Sequence, residues 1–99
     1  MKTKRSNKLV PVNTDTMLAE RGARYGAFAD HAAISQALKD VMRAAPGWAN
    51  LAPDQKEAAE MIQHKLARVL NGDPNYLDNW TDLYGYPRLV EKRLQGERL

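Results

Sequence analysis

Asp78 and Asp82 stand four residues apart in the run Asp78-Asn79-Trp80-Thr81-Asp82-Leu83-Tyr84-Gly85-Tyr86, with Gly85 close behind them. On a helix that spacing is about one turn, and like charges one turn apart repel by a few tenths of a kcal/mol. A cation between the two carboxylates turns the repulsion into attraction. Oxygen ligands on one helical face suit Mg²⁺ or Mn²⁺. A Lys or Arg from a neighbouring helix would serve as well. An exposed acidic face near a helix N-terminus, where the helix dipole favours negative charge, fits the same spacing.

A second acidic pair precedes the first. Glu57, Glu60, His64 and Arg68 recur at steps of three and four. Glu57 and Glu60 can supply two more carboxylates, although all four residues fall opposite the apolar stripe of their helix, where solvent is expected. Lys65 and Arg68 can pair with Asp78 and Asp82 across a helix interface, or hold phosphate oxygens. Arg24 and Tyr25, between Gly22 and Gly26, are further contacts for a phosphate or a base, and Tyr86 is a candidate for base stacking. His31 and His64 stand alone, and no His-Glu-x-x-His spacing suggests a zinc hydrolase. His31 falls on an apolar helix face, as a hydrogen-bonded core residue would. There is no cysteine, and neither Ser6 nor Ser35 sits in a nucleophile elbow, which argues against covalent acyl chemistry.

The elements that must position these groups are helical. Thr14 or Asn13 caps a short helix over about 15–22, and Gly22 and Gly26 make a break or tight corner. Phe28, His31, Ile34, Leu38, Val41 and Met42 repeat on one face of a helix over about 28–44, ended by Pro46-Gly47. Trp48 and Leu51 then plug the end of the core. Pro53 opens a third helix with the stripe Ala58, Ala59, Ile62, Leu66, Val69 and Leu70, closed by Asn71-Gly72. Asp73 and Pro74 read as N-cap and first residue of a fourth helix, with Tyr76, Trp80, Leu83, Val90 and Leu94 on its core face. Pro87 should kink or break it near Tyr86. No useful alternation of β type appears. The expected fold is all-α, a small bundle of about four helices with short loops. A single domain over 14–95 follows a flexible basic tail (1–13), and the chain frays over 96–99.

Ninety-nine residues allow one modest core, which a homodimer would enlarge. No apolar run approaches the roughly 18 residues of a membrane span, and no signal peptide is visible, so a cytoplasmic protein without membrane contact is expected. The net charge of +3 is uneven. Lys2, Lys4, Arg5 and Lys8 precede residue 9 without an acid, leaving eleven basic residues against twelve acids in the remainder. Such a tail can touch nucleic acid electrostatically, but it carries no aromatics for base readout.

The stretches Arg21-Gly22-Ala23-Arg24-Tyr25-Gly26, Met61 to Gly72 and Asp78 to Tyr86 resemble a family of small phage-encoded proteins of unassigned function, over roughly residues 17–95. More distantly, the layout is similar to the MazG-like all-α nucleotide pyrophosphohydrolases, helical and usually dimeric enzymes. That resemblance implies Mg²⁺ held by Glu57, Glu60, Asp78 and Asp82, with Glu60 and Asp82 in catalytic roles. Lys65, Arg68, Arg24 and Tyr86 would hold a nucleoside triphosphate, cut to monophosphate and pyrophosphate in the host cytoplasm. Here the second pair is spaced by four, where the family has three and begins with Glu. Lys56 precedes Glu57 where the family doubles the glutamate, as in a drifted member. The alternative expectation is a non-catalytic helical accessory protein that binds a host protein, a nucleotide or nucleic acid, with Asp78 and Asp82 paired to Lys65 and Arg68.

Overall fold

A computed structural model describes residues 13–99. Five α-helices follow one another: α1 (Thr14–Tyr25), α2 (Phe28–Ala44), α3 (Pro53–Asn71), α4 (Leu77–Asp82) and α5 (Gly85–Leu94). A 3₁₀ turn over Pro46–Asn50 joins α2 to α3, and no strand occurs among the described residues. The all-α expectation holds. The basic residues of the expected tail lie outside the described residues, and Asn13, expected in that tail, is the N-cap of α1. Its Oδ1 accepts the Thr16 amide at 3.1 Å.

Local chemistry explains most helix ends. At the start of α3, Pro53 takes the first position, where no amide is needed, and Gln55 Oε1 accepts the Ala52 amide at 2.8 Å. After α5, the Gly96 amide returns to the Arg93 carbonyl and the Glu97 amide to Lys92, with Gly96 at φ +94°. That is a Schellman termination, which needs a residue free to take positive φ.

Three boundaries differ from the sequence reading. α1 runs through Gly22 to Tyr25, because a glycine in a helix interior costs only about 1 kcal/mol and the corner falls at Gly26 instead. Asp73 and Pro74 do not start a helix. Asp73 Oδ1 accepts the Asn75 amide at 2.9 Å, an Asx-type turn, and α4 begins at Leu77. The expected fourth helix is divided after Asp82, so Gly85 opens α5 and does not continue the helix of Asp78 and Asp82. Pro87 sits in the first turn of α5, where its missing N–H breaks no helical bond.

Helix α3 is the axis of the fold, packed against each of the other four. Its expected solvent side is therefore covered: Glu60, His64 and Arg68 are half-buried, while Glu57 is exposed. The core is small and polar. Among the described residues the buried hydrophobics are Ala58 and Ala67, joined by His31, Ser35, Gln63 and Asn79. Several residues expected in the core are exposed instead, among them Phe28, Val41, Leu70, Trp80 and Leu94. The outer helices make most of their contacts with α3, so each buries a narrow strip and leaves the flanks of its apolar face in solvent.

Candidate functional site

The acids singled out by spacing meet different partners. Glu60 accepts a hydrogen bond from Arg43 of α2, with Nη2 to Oε2 at 2.8 Å. Asp82 of α4 accepts one from Lys65 of α3, with Nζ to Oδ2 at 2.9 Å. The Lys65 side chain is 12% exposed and that of Asp82 49%, so the cation is the more buried partner. Asp78 accepts the Tyr76 hydroxyl at 3.2 Å. Glu57 lines a shallow hollow between α3 and α5 with Asp54, Tyr86 and Arg93. Among the described residues, no group of three or more His, Asp or Glu side chains converges as a metal ion requires. Glu57, Glu60, Asp78 and Asp82 thus do not form one cluster, and Asp82 meets Lys65, the cationic partner that the sequence also offered. Arg43, the partner of Glu60, was missed: it lies 17 residues away on another helix, beyond any local spacing signal.

The arginines assemble elsewhere. At the corner between α1 and α2, the Arg68 guanidinium lies 4.1 Å from the centre of the Tyr25 ring. Tyr25 packs edge-on against Tyr76 at 6.1 Å, and Arg24 covers Tyr76 at 5.0 Å. Cations over aromatic faces are attracted by the ring quadrupole, so the four side chains form a column of two rings between two cations. Tyr86 is not part of it.

The column rests on a backbone clamp. Gly26 has φ +79°, and a Cβ built there would stand 2.2 Å from the Asn71 carbonyl oxygen. Asn71 Nδ2 donates to the carbonyls of Tyr25 (2.8 Å) and Ala27 (3.0 Å). A Cβ on Gly72 would meet the Arg24 carbonyl oxygen at 2.1 Å, and the Asp73 amide donates to that oxygen at 2.7 Å. The two glycines let the end of α3 approach the end of α1 closely enough for these bonds.

Beside the corner, the rings of His31 and His64 meet edge to face at 4.9 Å. His31 is buried as expected, but its Nδ1 has no hydrogen-bond partner. Burial, then the Arg68 charge, pushes its pKa down. His64 is pushed down to about 4, first by burial and then by Arg68, His31, Lys65 and Lys39. At neutral pH both imidazoles are uncharged.

Fold and site together define a small helical domain with Glu60 and Asp82 tied to cations of the fold and an arginine–tyrosine column at one corner. The chain matches the family described as a domain of unknown function (DUF6378) over residues 12–94, and it belongs to that family. No curated protein and no solved structure matches it. No helix among the described residues is long and apolar enough to cross a membrane.

Proposed function

We propose that this protein is a non-catalytic helical binding module. The observation that carries this reading is the Lys65–Asp82 pair, closed at 2.9 Å with the lysine nearly buried. A metal ion at Asp82 would have to displace the ammonium and leave it unpaired in a poorly solvated place, which is costly. The same holds in milder form for Glu60 and Arg43, whose side chains are 23% and 50% exposed. Pyrophosphohydrolysis needs carboxylates free to gather Mg²⁺ around a triphosphate. In this chain, cations of the fold already take up Glu60 and Asp82. The test is incubation with a panel of nucleoside triphosphates and Mg²⁺. The binding reading expects no pyrophosphate above that of an Asp82→Ala control. Release that the control abolishes establishes the hydrolase instead.

A further inference from the structure

A cleft of about 430 Å³ opens between α1, α2 and α3. That volume lies within the range of roughly 300–1,000 Å³ typical of small-molecule sites. Its walls carry Arg21, Arg68, His31, His64, Tyr25 and Phe28, and no Asp or Glu. Neither arginine has an ion pair among the described residues. Arg68 lies against the face of Tyr25, and stacking of this kind leaves the N–H donors at a guanidinium's edge available. The second, independent sign is His31. It is 7% exposed, and its buried Nδ1 is without a partner. A buried polar atom left unpaired is uncommon and calls for a reason, a missing ligand among them. The remaining wall is apolar: Leu18 lines it, and Phe28 is 81% exposed, an aromatic ring with little protein covering it.

Resting on the binding-module reading, we propose that this cleft binds a small anion that carries a flat aromatic ring, its charged group held by Arg21 and Arg68 beside the rings of His31 and His64, and its ring against Phe28 and Leu18. The charged neighbours that bear on His64 agree with this. Arg68, Lys65 and Lys39 are cations, His31 is the other neighbour, and none is a carboxylate. An anion entering the cleft supplies the missing negative charge, and it raises the His64 pKa from about 4.

The anionic group can be a phosphate or a carboxylate, and the probes separate the two. Phenyl phosphate and benzoate are titrated into the full chain, with phenol and inorganic phosphate as the isolated halves. Binding is followed by the ring resonances of His31 and His64. At least one of the two ring-bearing anions is expected to shift both histidines, to bind at least tenfold more tightly than phenol or inorganic phosphate, and to raise the His64 pKa. Arg68→Met weakens that binding at least tenfold, while Arg88→Met on α5 leaves it unchanged. Arg21→Met, at an exposed position of α1, gives the same test should Arg68→Met fail to fold. The site is overturned if neither ring-bearing anion moves the histidines, if phenol or inorganic phosphate binds as tightly as the tighter of the two ring-bearing anions, or if both arginine variants bind as the parent does. Pyrophosphate release is measured in parallel. An empty cleft without release refutes this site and leaves the binding-module reading standing. Release lost in Asp82→Ala refutes that reading, while the histidine shifts still report on the cleft.

Discussion

Gly22 and Gly26 sit one helical turn apart, yet replacing each with alanine should move stability in opposite directions. Gly22 lies inside α1, and a Cβ there meets nothing within 4 Å. Alanine at such a position gains about 0.5–1 kcal/mol, because glycine gives up more backbone freedom on folding. Gly26 has φ +79° and ψ −173°, a region nearly closed to other residues and costing about 1–3 kcal/mol. Its Cβ would also fall 2.2 Å from the Asn71 carbonyl oxygen and 2.5 Å from Asn71 Nδ2. Relieving that overlap moves Asn71 off the Tyr25 and Ala27 carbonyls, losing two bonds of about 1 kcal/mol each. Gly26→Ala therefore costs about 3–5 kcal/mol. In a domain of this size 1 kcal/mol shifts Tm by about 4–8 °C, so Gly22→Ala should melt about 4 °C higher and Gly26→Ala more than 10 °C lower. Far-UV circular dichroism melts of both variants beside the parent make the comparison. Equal shifts of the same sign would refute the clamp between α1 and α3.

Further outcomes follow from the same contacts. Asn71→Ala removes both donated bonds while keeping the backbone, and should cost about 2 kcal/mol by urea denaturation. His64 has a folded pKa depressed to about 4 from 6.5, so the unfolded chain binds the extra proton. Its contribution to stability is present above pH 6.5 and is lost as pH falls from there toward 4. Urea midpoints over that window should fall with pH, and more shallowly in His64→Gln. Arg93 grips Asp54 with two bonds, at 2.7 and 2.6 Å, and holds the Asp54 carboxyl below its usual range. Arg93→Gln should speed amide exchange over the last turn of α5 without moving exchange in α2.

What was legible in the sequence was what local chemistry decides. The bounds of α2 and the start of α3 follow from Phe28 to Ala44 periodicity, Pro46-Gly47 and Pro53, and each lies where those residues put it. Gly22 was misread because a glycine alone does not say whether a turn is required there. Gly26 is the corner because Asn71, 45 residues on, meets the backbone around it. Asp73-Pro74 was misread for a similar reason: the Asp73 amide is taken by Arg24, on a different helix. The site shows the same division. Lys65 was legible as a partner for Asp82, since one face of α3 offered it. Arg43 for Glu60 was not, and neither was the meeting of His31 with His64, which depends on how α2 lies along α3. The expected solvent face of α3 was misjudged because the wheel of one helix cannot reveal that four others surround it.

Glu60 and Asp82 are matched by cations of the fold, Lys65 with Asp82 above all, and on that pairing rests the proposal of a protein that binds without hydrolysing. The most direct measurement is the melting temperature of the full chain and of Asp82→Asn, each with and without millimolar Mg²⁺. On the proposed reading Mg²⁺ moves neither protein, and Asp82→Asn melts lower than the parent because it strands the nearly buried Lys65 ammonium. A rise in Tm with Mg²⁺ in the parent, absent in Asp82→Asn, would contradict it.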